Sequence, residues 1–252
     1  MDGYNKFVKM IESNFDSDWK NVLVDLSLQI QDDKNNKEIE DVNRLRYMIN
    51  ELYKKYQYDK TINVKFEDIF NDFKTCSLKS LSVIIMYYTK NENENRTKNI
   101  LEEMYDEYKS EIPISLHKFQ ERYDFKKLHK QGVLITSFIL TTSKKEPQFH
   151  VELWTRYMSR IIKAINIKHK YLVYLLWENK LSCVASFIKE DMDTTKKKTD
   201  SDKRKIISYL VLNCETLPQG RFNRFKGSNH FIITNHFLKN WYKPQIKWCD
   251  LD

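Results

Sequence analysis

Four short, continuous runs of apolar residues constrain this chain more than anything else in it: LSVIIMYY (81 to 88), GVLITSFIL (132 to 140), YLVYLLW (171 to 177) and IISYLVLNC (206 to 214). None alternates apolar with polar residues, as a strand with one wet face would. Unbroken apolar character over so few positions is what a strand buried on both faces of a parallel sheet requires. Parallel neighbours need long crossovers, and the segments between the runs supply them. TKNILEEMYDEYKSEI and VELWTRYMSRIIKAI place apolar residues at i, i+3, i+4 and i+7, the period of a helix with one buried face. Strand, helix, strand, helix in this order predicts right-handed crossovers and an α/β fold: a three-layer sandwich with a central four-stranded parallel sheet flanked by helices. Ahead of the first run, WKNVLVDLSLQI and VNRLRYMINELYKKY carry the same helical period, so an N-terminal helical part is expected over about residues 1 to 60. A polar stretch over about 189 to 205, KEDMDTTKKKTDSDKRK, reads as a solvated loop insertion.

With 41% hydrophobic and 13% aromatic residues, 252 positions close a sizeable core, and no Pro-, Gly- or Ser-rich linker divides them. One domain spanning 1 to 252 is the expectation. No run reaches the roughly 18 apolar residues of a membrane span, and MDGYNKFVKM has no apolar signal core. An intracellular protein without membrane contact is expected, working in the nucleus or at a cytoplasmic replication site. Cys76, Cys183, Cys214 and Cys249 show no C-x-x-C spacing, and the six histidines share no ligand spacing, so no metal and no cofactor are expected. Forty-three Lys and Arg against 35 Asp and Glu give a net charge of +8 and a pI near 9.0, which favours polyanionic partners. Abundant Lys, Asn, Ile and Tyr with four glycines also fits coding bias of an A+T-rich genome, so charge names no partner.

In open parallel sheets ligands bind at the carboxyl ends of the strands. Those ends read MYYTKN, TSFILTT, WENK and NCETLPQGRFNRFKG. KQGVLITSFILTT resembles the strand of family 1 uracil-DNA glycosylases that begins Gly-Val-Leu-Leu-Leu-Asn, and YLLWENK resembles that family's next strand with its tryptophan, here Trp177. GSNHFIITNHFLKNWYKPQIKW is similar to its closing helix and terminal Pro-Ile-x-Trp; DSDW and VKFEDIFNDFKTCSLKSLSVII resemble its N-terminal helix and the lead into its first strand. The likeness covers nearly the whole chain in the right order. It implies the uracil-DNA glycosylase-like fold and an ancestry in hydrolysis of the bond between uracil and deoxyribose after the nucleotide is flipped from the stack.

Carried over residue by residue, the family's machinery meets changed residues. After its first strand the family has Gly-Gln-Asp-Pro-Tyr-His, whose aspartate positions and activates the attacking water; here Thr89 stands at the aspartate. A hydroxyl is not basic near neutral pH and gives no charge to a cationic sugar. NENENRT lacks the glycine-rich stretch and the phenylalanine that stacks on uracil. Ser137 stands where an asparagine reads the uracil edge, and one hydroxyl cannot pair a donor with an acceptor as an amide does. Glu178 and Asn179 replace a Gly-Ser pair that grips phosphate, and a carboxylate there repels it. Glu215 falls at the histidine of His-Pro-Ser-Pro-Leu-Ser and Gln219 at its wedging leucine, while Pro218 matches a proline. Degenerate positions Thr89, Ser137 and Glu215 lead to the expectation of no catalytic residues and no enzyme activity.

Two functional readings stay open. In the first the chain is a nucleic-acid-binding or protein-interaction subunit of a replication or repair assembly. Its contact would be the loop after the fourth run, where Arg221, Arg224 and Lys226 interleave with Phe222 and Phe225. Cations between rings suit sequence-independent backbone contact with base stacking, whereas rings anchored on the core would leave only solvated cations. Lys196, Lys197, Lys198, Lys203, Arg204 and Lys205 form either a phosphate patch or a solvated loop. In the second reading the chain is an active DNA glycosylase or other nucleic-acid hydrolase with a rearranged site drawing on Glu215, Glu178 and Asp18.

Overall fold

The structure, a computed structural model, describes residues 3–24, 36–90, 94–185, 187–188, 209–215 and 225–251. The four apolar runs form strands β1 (Val83–Thr89), β2 (Val133–Ile139), β3 (Leu172–Leu176) and β4 (Tyr209–Asn213). They make one sheet in the order β2-β1-β3-β4. β1 runs parallel to β3, with Val83 opposite Val173 and Met86 opposite Leu176. β3 runs parallel to β4, with Leu172 opposite Tyr209 and Leu176 opposite Asn213. The expected α/β fold, a four-stranded parallel sheet with flanking helices, is the one the chain adopts.

The burial of each strand follows its place in this order. β3 has a partner on both edges and every residue from Leu172 to Trp177 is inaccessible to solvent. β4 departs from the expectation of a strand buried on both faces: it is an edge strand, half-buried from Tyr209 to Leu212 and exposed at Asn213. Residues 206–208 of the fourth run and the polar stretch 189–205 lie outside the described residues.

The helices are α1 (Gly3–Asn14), α2 (Ser17–Val24), α3 (Asn36–Tyr58), the short α4 (Asn71–Lys74), α5 (Glu94–Tyr108), α6 (Leu116–Arg122), α7 (Lys126–Lys130), α8 (Pro147–Lys168) and α9 (His230–Asn240). Contacts gather the chain into two compact units. One comprises Met1–Lys74 and Ser137–Lys168, the other Thr75–Thr136 and His169–Asp252. The first unit packs α1 to α4 and α8 through aromatic edges. Phe7 meets Phe70 at 5.5 Å and 68°, Trp19 meets Phe73 at 5.1 Å and 88°, and Trp154 meets Phe70 at 6.1 Å and 87°. Edge-to-face pairs of this kind contribute about 0.5–1.5 kcal/mol each beyond the area they bury. Asp41 on α3 accepts from Arg156 and Arg160, one turn apart on α8, at 2.6 and 2.5 Å, which fixes the register of the two helices.

The second unit is built on β1, β3 and β4. Its core joins Val83 and Ile85 of β1 and Val173 and Leu175 of β3 to Ile100 and Met104 of α5, Phe119 of α6, Leu128 of α7, and Phe231 and Leu238 of α9. Its tightest constraint precedes β2. The Gly132 carbonyl accepts from the amides of Ser82 and Val83 at 2.9 and 3.2 Å. To do so its backbone takes φ +85°, and a Cβ there would lie 2.0 Å from the Ser80 carbonyl oxygen. Left-handed strain alone costs roughly 1–3 kcal/mol for a residue with a Cβ, and the clash is with backbone, which cannot step aside. Gly132→Ala should therefore lower the thermal midpoint by at least about 2 °C, at roughly 2–4 °C per kcal/mol for a chain of this size; an unchanged midpoint would show that the turn relaxes freely.

Candidate active site at the strand ends

Register decides which groups are left over at the carboxyl ends of β1, β3 and β4. Met86 O accepts the last ladder bond, from the Trp177 amide at 3.1 Å. β1 continues to Thr89, so the Tyr88 amide lies past β3, and the Glu178 side chain takes it instead, Oε1 accepting at 3.1 Å. The same oxygen is 2.9 Å from Arg96 Nη2, and the two side chains are only 10% and 14% exposed. Arg96 stands near the start of α5 with its guanidinium 4.8 Å above the Tyr87 ring, and Tyr87 leans on Trp177 at 6.0 Å. Burial pushes the Glu178 carboxyl above its ordinary range; the Tyr88 amide and Arg96 pull it down, and the Glu215 carboxylate pushes it up again. Removing one member of such a buried pair costs roughly 3–5 kcal/mol, since the other charge is stranded.

Glu215, two residues past β4, accepts the Asn179 amide at Oε2, 3.2 Å away. Ser182 Oγ donates to the Asn179 carbonyl at 2.6 Å, and Lys180 Nζ sits 5.2 Å over the Tyr88 ring. The carboxyl ends of β1, β3 and β4 thus gather two carboxylates that act on each other, a nearly buried guanidinium from α5 and two phenols. Among the described residues no three His, Cys, Asp or Glu side chains are placed to hold a metal ion.

The sequence candidates are distributed unevenly. Thr89 ends β1, half-buried, and Glu215 is half-buried after β4, both in the second unit. Ser137 is buried on β2 and Asp18 lies in the first turn of α2, both in the first unit. Arg221, Phe222 and Arg224 lie outside the described residues. Phe225 requires correction as a base-stacking residue: it is wholly buried, its ring 5.3 Å from Trp177 and 6.5 Å from Phe231, so no face is offered to a ligand. Lys226 is exposed, 3.8 Å from Asp106. Arg96 was missed, because a lone arginine inside NENENRT gives no sign that it will reach Glu178.

The segment leading from this loop into α9 is held from α5. Asn229 has no side-chain cap bond and φ 54°. Glu103 instead accepts the amides of Gly227 and Asn229 at 2.7 and 3.2 Å, and Glu107 that of Ile232 at 2.7 Å. Carboxylates at a helix N-terminus satisfy its unpaired amides and its dipole. Burial nevertheless pushes Glu107 up to about 7.

His230 opens α9 beneath the strand ends, its Nδ1 accepting from Trp177 Nε1 at 3.1 Å. Burial takes His230 down to about 4, and His150 of the first unit likewise. Both are depressed below their unfolded value of about 6.5. Their neutral forms therefore contribute stability that is fully present above pH 6.5 and is lost as pH falls towards about 4. Urea midpoints should drop between pH 7 and 4.5, and His230→Asn should flatten that drop. An equal drop in the variant would remove His230 from the account.

No family model matches the chain. Among curated proteins it is similar to the uracil-DNA glycosylase of Buchnera aphidicola, 26% identical over 223 residues that cover 81% of this chain and 92% of the relative. It is similar to that of Fusobacterium nucleatum at 24% over 252 residues, covering 94% and 96%, and to that of Pectobacterium carotovorum at 26% over 222 residues, covering 80% and 89%. The expectation of a chain without enzyme activity is corrected by these relatives: all three carry the name of an enzyme, and the match runs along most of both chains. Among solved structures, a mimivirus UNG variant in complex with UGI superposes with a TM-score of 0.62 at 12% identity, covering 96% of this chain and 90% of that one. The mimivirus uracil-DNA glycosylase gives 0.58 at 12% identity, covering 94% and 90%. The strand order and these superpositions agree: the chain has the uracil-DNA glycosylase fold.

Proposed function

We propose that this chain is a DNA-handling enzyme that hydrolyses the bond between a base, in the first place uracil, and deoxyribose, through a rearranged set of residues at the ends of β1, β3 and β4. The observation that carries the reading is the pairing of Glu178 with Arg96 beside Glu215. This is a polar constellation built where an open parallel sheet takes its ligand, in a chain similar to enzymes of that name.

In this reading the Glu215 carboxylate takes a proton from the attacking water and faces the cationic sugar that forms. Thr89 orients the water through its hydroxyl, a task that needs no basicity. Water oxygen bonds to C1′ while the bond from C1′ to the base nitrogen breaks, its electron pair leaving with the base. Arg96, a cation in a water-poor setting, stands to stabilise the departing base anion, and Glu178 fixes the guanidinium. Arg221, Arg224 and Lys226 contact phosphates without reading sequence, with Phe222 beside them. The enzyme acts inside the cell, where its DNA is.

The test uses the full chain and a single-stranded oligonucleotide with one central deoxyuridine, reading abasic sites by alkaline cleavage. Cleavage at that position is expected, and Glu215→Gln should lower kcat/KM by roughly 10²–10⁴-fold, the scale of a lost general base. Glu178 is raised above the usual carboxylate range, so its ionised, Arg96-pairing form is lost on acidification earlier than an ordinary glutamate's. The acid limb of kcat/KM should accordingly lie above about 4.3 and move in Glu178→Gln, leaving only the limb that a carboxylate base imposes. No abasic sites from the folded protein, or turnover indifferent to both substitutions, would overturn the reading.

A further inference from the structure

The first unit carries a cleft that this chemistry does not use. It lies between α1 and the segment after α3 and measures about 680 Å³, open to solvent, with Lys6, Lys9, Lys65, Tyr53, Tyr56 and Phe66 among its lining residues. Three lysines face one acid, Glu67, in that lining, and all three are exposed.

The walls are fixed. Gly3 lies so close to α3 that a Cβ on it would be 2.5 Å from Tyr53 Cβ, and the Tyr4 amide donates to Asn50 Oδ1 at 2.7 Å. Tyr56 donates to the Val64 carbonyl at 2.8 Å, which pins the stretch of chain bearing Lys65 against α3. Phe66 sits edge-on between Tyr53 and Tyr56 at 5.3 and 5.4 Å. Lys6 Nζ lies 4.6 Å over the Tyr53 ring and within 2.5 Å of its hydroxyl, so its charge is oriented rather than loose.

We propose that this cleft is a second nucleic-acid contact, gripping the phosphate backbone of single-stranded DNA. Three cations among rigid aromatic walls match a polyanion with stackable bases better than an acidic peptide, which offers charge without rings. The proposal rests on the DNA-handling reading but uses none of the residues assigned to catalysis.

Fluorescence anisotropy of a labelled 20-mer single strand over a series of salt concentrations tests it, with base release from the deoxyuridine oligonucleotide followed in parallel. The triple substitution Lys6→Ala, Lys9→Ala, Lys65→Ala should weaken binding at least tenfold at low salt and flatten the log-log salt slope by roughly 0.7 for each phosphate no longer neutralised. Arginine at the same three positions should keep affinity. Loss of binding in the triple variant without any base release from the wild type supports the cleft while refuting the proposed reaction. Base release with affinity and slope untouched by the triple variant refutes the cleft alone. Equal loss in the alanine and arginine variants, or capture of vesicles of anionic phospholipid in place of the 20-mer, overturns it as well.

Discussion

The burial of β3 is the constraint on which the strand-end site depends. A strand sealed on both edges and both faces has nowhere to place a charge until it ends, and every side chain from Leu172 to Trp177 is apolar or aromatic and inaccessible. The first polar side chain after the ladder is therefore delivered to a fixed point. That side chain is Glu178, and because β1 outruns β3, the Tyr88 amide is there to donate to it. The need to satisfy that amide, rather than any local preference of glutamate, sets its position: an amide left without an acceptor there would cost up to roughly 1–3 kcal/mol, the full penalty of a buried group. Arg96 then neutralises the carboxylate, and Tyr87, itself packed on Trp177, floors the guanidinium.

How legible this was differs by level. The four strands could be read because continuous apolar runs have few other uses in a chain without membrane-length segments, and α3, α5 and α8 because their apolar period is long. The edge position of β4 was not legible, since IISYLVLNC is as apolar as the central run, and strand order is a property of crossovers rather than of composition. The site was half legible. Glu178 and Glu215 stood out as residues out of place in a resemblance, but the groups that hold Glu178, the Tyr88 amide and Arg96, come from β1 and α5, far back along the chain. A single sequence carries no trace of such pairings. Phe225 shows the opposite failure: rings among cations look alike whether they stack on a ligand or on Trp177, and only packing separates the two.

Subtracting a family's residues one by one measures distance from its pattern, not absence of chemistry. Several positions that lost a known group carry another, and two of these are the carboxylates after β3 and β4, which act on each other. Enzyme relatives matched over most of this chain's length turn that balance around. The substitutions at Thr89 and Glu215 then describe where charge has moved. In the proposed reading, the carboxylate absent after β1 is replaced by those after β3 and β4, and the electrophile absent after β4 by Arg96 at the start of α5.

The ion pair itself bears on this. Taking a carboxylate and a guanidinium out of water costs several kcal/mol each, and well-packed apolar residues of the same size usually do as well or better for stability. Arg96 and Glu178 are therefore not what holds the fold together; the core formed by Val83, Ile85, Val173, Leu175 and Trp177 does that without them. A second carboxylate beside the pair adds to the cost, since Glu215 raises Glu178 in the same direction as its burial does. An ion pair that adds little to the fold, placed beside a second carboxylate at the ligand end of a parallel sheet, fits the proposed site. Glu178 and Glu215 also differ as such sites require: one carboxylate is buried and bound to a cation, the other half-buried with the Asn179 amide as a donor. In the proposed reading, this difference leaves Glu178 held in place and Glu215 as the base.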